Sequence, residues 1–228
     1  MERTATAARL VRTPEARVHG RYVVELPEGS GPHPLLVGFH GYGENAERHL
    51  EALRTIPGVE RWARCAVQAL HRFYNTKTGE VVAGWMTKED RELAIADNLA
   101  YVAGVVASAR RELPVSGKLV YFGYSQGVAM AYRAAARVGE RADGLVVLAG
   151  DVPPDVEEGG LAVLPAVLVA RGRDDEWYSQ SKMDADVVRL RGGGVAVETL
   201  VYDGGHAWSD AFRAAAGRFL DRRLERSG

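Results

Sequence analysis

The chain lacks most of the features that mark a cofactor enzyme, a membrane protein or a nucleic-acid binder. Cysteine occurs once, at Cys65, in 228 residues, which excludes an internal disulfide. That thiol opens the apolar run Cys65-Ala66-Val67-Gln68-Ala69-Leu70, where a small buried core residue is expected rather than a nucleophile. Net charge is nearly absent: 29 Lys and Arg stand against 30 Asp and Glu, a formal −1. A chain so balanced has no general attraction for nucleic acid or for an anionic membrane. No stretch approaches the roughly 20 apolar residues of a membrane span. The start carries Arg3, Arg9 and Arg12 without an apolar run. That pattern argues against a secretory leader and makes the cytoplasm the expected compartment. Metal-ligand spacing such as H-E-x-x-H is missing, as is the phosphate-cradling G-x-x-x-x-G-K-[ST]. No metal and no other cofactor is expected.

What is present is the pattern of one α/β domain over residues 1–228. Hydrophobic residues make up 46% of the chain, and a domain of this length buries about 70% of its unfolded-chain surface. Short apolar runs alternate with longer helical patterns, which predicts a mostly parallel sheet with helices on both faces. Strands are expected at 18–26, 35–39, 65–70, 119–122, 145–148, 166–170 and 195–201. Helices are expected near 45–55, from about 90 to Leu113, at 126–138, near 178–191 and at 208–224. Thr87 and Asp90 have capping-box-like spacing at the head of the long helix. Residues 71–86 read as irregular, and 151–164 as a loop rich in Pro, Gly and acids. No repeat, low-complexity tract or long linker divides the chain.

Gly123-Tyr124-Ser125-Gln126-Gly127 has the pattern G-x-S-x-G between a predicted strand and a predicted helix, the context in which it forms a nucleophile elbow. The turn is so sharp that side chains two places to either side of the serine would clash, and glycine relieves both clashes. It lifts the Ser125 hydroxyl off the sheet, near a helix N-terminus that favours developing negative charge.

A serine hydroxyl needs a base to take its proton, and in elbow hydrolases the order along the chain is Ser, acid, His. His206 is the only histidine after residue 125, and it lies in a loop beyond the last predicted strand. The acid is expected after the strand at 166–170, where Asp174, Asp175 and Glu176 compete. Pattern alone does not separate Asp174 from Asp175. The acid's task is to hold the imidazole in one tautomer and to stabilise its cation.

Phe39-His40-Gly41-Tyr42-Gly43 follows another strand. The Tyr42 N–H and the Gln126 N–H are the candidate oxyanion donors, with His40 in an orienting hydrogen bond rather than as a base. Phe73, Tyr74, Trp85, Met86, Trp177, Tyr178 and Trp208 are candidate pocket walls. Trp85 and Tyr178 stand foremost among them as substrate-binding residues, since each adjoins a segment bearing or facing the chemistry.

Four segments together resemble the phospholipase/carboxylesterase family, with its acyl-protein-thioesterase-like enzymes, in the α/β-hydrolase superfamily. They are His40-Gly41-Tyr42-Gly43, Gly123-Tyr124-Ser125-Gln126-Gly127, Gly172-Arg173-Asp174-Asp175 and Gly204-Gly205-His206. The resemblance implies the α/β-hydrolase fold: a mostly parallel eight-stranded sheet, helices on both faces and no large lid domain. It also implies a serine hydrolase acting on a small ester through Ser125, Asp175 and His206. The family's His-Gly-x-x-Asp segment selects Asp175 as the acid. Here Arg171 replaces that His, and Glu176 stands where Pro is common. Thioesterase, lysophospholipase and dienelactone-type lactone chemistries are neighbouring alternatives, although dienelactone hydrolases usually place Cys at the position of Ser125. A non-catalytic binding protein on the same fold is a more distant one. Acyl chain, alcohol and oligomeric state are not specified by the sequence.

Overall fold

A computed structural model describes residues 9–157 and 160–225. Arg3 and part of the expected 151–164 loop lie outside the described residues. The sheet contains β1 (Arg21–Glu25), β2 (His33–Phe39), β3 (Ala63–Gln68), β6 (Val115–Tyr124), β7 (Gly144–Leu148), β8 (Val167–Gly172) and β9 (Val197–Tyr202). Its strand order is β1-β3-β2-β6-β7-β8-β9. β1 pairs antiparallel with β3, and every other pair in this sheet is parallel. A separate antiparallel hairpin is formed by β4 (His71–Tyr74) and β5 (Val81–Gly84). The helices are α1 (Ala46–Arg54), α2 (Arg91–Glu112), α3 (Gln126–Arg137), the short α4 (Pro154–Glu157), α5 (Gln180–Gly192) and α6 (Asp210–Glu225).

Side chains alternate across a strand, so neighbouring residues feed opposite faces of the sheet. In β2, Leu35, Val37 and Phe39 join the core beneath α2, α3 and α5, with Val105, Met130 and Leu190. Leu36 joins the opposite core with Leu53 of α1 and Phe212, Phe219 and Leu220 of α6. Both faces are covered, which is why the strands read as unbroken apolar runs. Cys65 lies wholly buried in β3, where burial pushes its thiol up to about 12.

Four expectations are corrected. Residues 71–86, expected to be irregular, contain the β4–β5 hairpin. The main sheet has seven strands among the described residues, not eight. Residues 9–20 take no strand; they are exposed and contain Pro14, which lacks the N–H a ladder needs. The capping box at Thr87 does not form: the Thr87 hydroxyl takes the Glu89 N–H at 3.2 Å. Asp90 precedes α2 in a left-handed conformation, φ 47°, with no side-chain cap. Finally, α2 is long and apolar enough, by length and composition, to cross a membrane. It packs Ile95, Val102, Val105, Val106 and Ala109 into the protein core, the ordinary place for an apolar helix in an α/β fold.

The parallel order decides where chemistry can gather. β2, β6, β7, β8 and β9 all run the same way, so the segments after Phe39, Tyr124, Leu148, Gly172 and Tyr202 emerge along one edge of the sheet. That edge is where open α/β sheets bind ligands.

Candidate active site

Ser125 occupies the turn between β6 and α3 with φ 51° and ψ −119°. A backbone so placed costs on the order of 1–3 kcal/mol and persists only where its surroundings enforce it. Two glycines make it possible. A Cβ on Gly127 would stand 2.1 Å from the Phe39 carbonyl oxygen, and one on Gly123 would stand 2.6 Å from Val128 Cα. The Ser125 N–H donates to Leu148 O at 2.9 Å, which pins the turn to the end of β7.

The hydroxyl so presented meets a histidine from a distant loop. Ser125 Oγ lies 2.8 Å from His206 Nε2, and His206 Nδ1 lies 3.0 and 2.9 Å from the two Asp175 oxygens. A carboxylate only accepts, so Nδ1 carries the proton and Nε2 is left to accept from the serine. Asp175 is nearly wholly buried, whereas Asp174 and Glu176 face solvent. Its Oδ1 also accepts the Trp177 and Tyr178 N–H groups at 2.9 Å each. Among the described residues, Asp175 is the carboxylate in hydrogen-bond contact with the imidazole.

Close packing of the acid and histidine loops depends on Gly172, where a Cβ would stand 2.2 Å from the carbonyl oxygens of both Gly204 and Gly205. Arg171, at the departure from the family pattern, is buried and holds the acid loop from inside. Its guanidinium donates to Tyr178 O at 2.6 Å, Gln180 Oε1 and Arg173 O at 3.0 Å, and Asp175 O at 3.3 Å. Behind the histidine, Tyr124 donates its hydroxyl to His206 O at 2.9 Å.

Hydrogen bonds tie the loop after β2 to itself and to β5. The Gly41 N–H goes to Glu44 Oε2 at 2.8 Å, the Gly43 N–H to Ala83 O at 2.9 Å, and the Glu44 N–H to Gly41 O at 3.3 Å. The Tyr42 N–H has no acceptor among the described residues, and neither has the Gln126 N–H at the start of α3. Burial raises the Glu44 carboxyl above its ordinary value, opposed by its bond from Gly41 and by the charges of Arg48 and His206. His40 is fully buried with both ring nitrogens engaged: Nδ1 donates to Gly41 O at 2.7 Å and Nε2 accepts the Ala69 N–H at 3.1 Å. Burial drives its pKa down to about 4, consistent with the orienting role expected for it.

The two foremost pocket candidates turn inward. Trp85 is wholly buried, edge-on to Phe39, with Nε1 donating to His40 O at 2.8 Å. Tyr178 borders the cleft beside Ser125 but is only 2% exposed, its hydroxyl donating to Asp186 at 2.8 Å. An indole or phenol with a buried partner for its polar atom packs as a core residue: Trp85 lines neither cleft at Ser125, whereas Tyr178 borders one of them from within the core. Trp177, the neighbour of Tyr178, is 76% exposed at the same cleft. Lys182, Ala129 and Pro153 also line the space around Ser125; sequence reasoning missed them, and no pattern marks them. A cavity of about 810 Å³ lies at the other edge of the sheet, near Asp143, Ala166 and Ala196. It contains neither Ser125 nor His206. Among the described residues no group of three or more His, Cys, Asp or Glu side chains is placed to hold a metal ion.

A parallel sheet with a strand-to-helix serine elbow, helices on both faces and the acid and histidine loops at the same edge is an α/β-hydrolase fold, and the chain has that fold. Among solved structures it is similar to esterase PE8 (21% identity, TM-score 0.72, covering 91% of this chain and 100% of that one). It is similar to the Bacillus cereus carboxylesterase (18%, 0.69, 90% and 94%) and to Zea mays acyl-protein thioesterase 2 (19%, 0.67, 90% and 100%). At such identities the likeness is one of fold. No protein-family model matches the sequence, and no curated protein matches it.

Proposed function

We propose that this protein is a serine hydrolase of the phospholipase/carboxylesterase kind that cleaves small carboxylic esters through an acyl-enzyme on Ser125. The observation carrying this reading is the unbroken chain Ser125 Oγ, His206 Nε2, His206 Nδ1, Asp175, with each link between 2.8 and 3.0 Å. Ser125 Oγ attacks the ester carbonyl while its proton passes to His206 Nε2. The oxyanion takes hydrogen bonds from the Tyr42 and Gln126 N–H groups, neither of which has an acceptor among the described residues. The carbon–oxygen bond to the alcohol breaks as His206 returns its proton to the leaving oxygen. Water then repeats the sequence on the acyl-enzyme, releasing the acid and restoring Ser125. Asp175 stays ionised and steadies the imidazolium that forms twice in each cycle.

The test is covalent labelling by a fluorophosphonate, read by peptide mass, together with a panel of p-nitrophenyl esters and acyl thioesters. Labelling of Ser125 with ester turnover supports the reading. Turnover confined to thioesters moves it to a thioesterase. An intact folded protein that neither labels nor turns over any ester is a binding protein on this fold, and the proposal fails.

A further inference from the structure

Two clefts meet at Ser125. One, about 500 Å³, is walled by Tyr42, Trp177, Lys182 and His206. The other, about 580 Å³, is walled by Met86, Arg91, Ala129, Pro153 and Pro154. Ser125 and Gln126 border both, whereas His206 borders only the first.

That asymmetry sorts the two halves of an ester. The proton leaving Ser125 must be delivered by His206 Nε2 to the alcohol oxygen as the carbon–oxygen bond breaks, so the alcohol has to lie on the histidine's side of the reacting carbon. The carbonyl oxygen is turned to the Tyr42 and Gln126 N–H groups. One direction remains for the acyl chain, the cleft without His206. We infer that the leaving alcohol occupies the Tyr42–Trp177 cleft and the acyl chain the Met86–Ala129–Pro153 cleft, and that the substrates are aryl esters of short apolar acids.

The chemistry of each wall fits its assignment. Trp177 and Tyr42 are 76% and 64% exposed, two large aromatic side chains bordering the same cleft. The Tyr42 ring is stacked on Phe73 at 5.2 Å, and Lys182 Nζ donates to the Trp177 carbonyl at 2.9 Å. The Tyr42 ring and the Trp177 backbone are therefore held before substrate arrives, and exposed ring faces favour another ring. In the acyl cleft, Met86, Ala129 and the two prolines give an apolar surface, but Arg91, Glu92 and Asp155 share it. A long alkyl chain laid there would strip water from charged groups, which is costly. A short chain avoids them.

This inference rests on the serine-hydrolase reading, and its experiment fails differently. The acyl-enzyme is the same whatever the alcohol was, so a residue touching only the alcohol alters acylation and not deacylation. Pre-steady-state kinetics with phenyl acetate, phenyl butyrate, phenyl octanoate and ethyl acetate separate the steps. Trp177→Ala is expected to slow acylation by the phenyl esters roughly two- to tenfold more than by ethyl acetate, with deacylation of the acetyl-enzyme at its original rate. Ala129→Leu is expected to slow deacylation of the butyryl-enzyme. Met86→Ala, which widens the same cleft should Ala129→Leu not fold, is expected to improve phenyl octanoate relative to phenyl acetate. Effects exchanged between the two clefts, or chain-length selection unmoved by both acyl-cleft variants, overturn the assignment while leaving the hydrolase intact. A wild-type protein inert to the whole panel overturns the hydrolase reading itself.

Discussion

Gln126 Oε1 accepts the Trp85 backbone N–H at 2.7 Å, and Gln126 Nε2 donates to Met86 O at 3.1 Å. Both ends of one side-chain amide thus tie the residue after Ser125 to the chain leaving β5. On its other side β5 holds the Tyr42 loop, through Ala83 N–H to Glu44 O at 2.8 Å and Gly43 N–H to Ala83 O at 2.9 Å. A single short strand therefore touches both segments that carry the proposed oxyanion donors.

The first prediction follows from that tie. Gln126→Ala keeps the backbone N–H but frees it from the hairpin, so turnover of a p-nitrophenyl ester should fall about 10- to 100-fold with a smaller change in KM. Gln126→Glu keeps the acceptor for Trp85 and should recover part of the loss. Equal activity in all three proteins would mean that the hairpin does not position the donor.

Ser125→Ala should lower turnover by about 10⁶, and His206→Ala by a similar factor, because members of a triad act as one unit. Asp175→Asn should cost about 10⁴, through the wrong imidazole tautomer. Steady-state assays of each variant on one ester check the order. Near-full activity of Ser125→Ala would remove the nucleophile assignment.

The elbow, the histidine and the strand alternation were legible in the sequence because each depends on local pattern or on order along the chain. Ser125 could be read from flanking glycines whose absent Cβ atoms the turn requires, and His206 from its place after the last strand. By pattern the acid is legible only as a cluster, within which the family resemblance selects Asp175; its inward turn goes with the Arg171 clamp and the Gly172 contact, neither of which a pattern shows. Trp85 and Tyr178 show a different limit: adjacency to reactive residues says nothing about which way a side chain points. The β4–β5 hairpin reads as irregular in the sequence because most of its first strand is exposed and carries no apolar alternation. Its turn did leave a trace in Asn75 and Gly79. The Asn75 side chain accepts the Lys77 and Thr78 N–H groups at 3.0 and 3.3 Å, and Gly79 has φ 69°.

Arg171 supplies the third prediction. Its buried guanidinium satisfies the carbonyls of Arg173, Asp175 and Tyr178 and the Gln180 side chain. Arg171→Met leaves those acceptors without a donor and should destabilise the fold by roughly 1–3 kcal/mol. Turnover should also fall through misplacement of Asp175. Arg171→Lys cannot reproduce the planar fork and should restore little. Urea unfolding with parallel kinetics tests both; a variant as stable and active as the parent would show the clamp to be dispensable.

The last prediction concerns acid stability and rests on His49. Its ring is buried against Phe122 and Trp208, and neither ring nitrogen has a hydrogen-bond partner. Burial, with a smaller contribution from His40, pushes its pKa down to about 3, against an ordinary 6.5. Below pH 6.5 the unfolded chain binds a proton at this position that the folded chain refuses. Stability present above 6.5 is therefore lost as pH falls toward about 3, at about 1.4 kcal/mol per pH unit in the middle of that window. His40, depressed to about 4, acts with the same sign. His49→Leu fills a similar volume, removes two unpaired polar atoms and abolishes its own share of the proton linkage. Urea midpoints at pH 7.5 and pH 4.5 should therefore show the variant at least as stable at the higher pH, and losing about 2–3 kcal/mol less than the parent on acidification. Equal losses in parent and variant would mean that the folded protein admits a proton at residue 49, and the burial argument would fail with it.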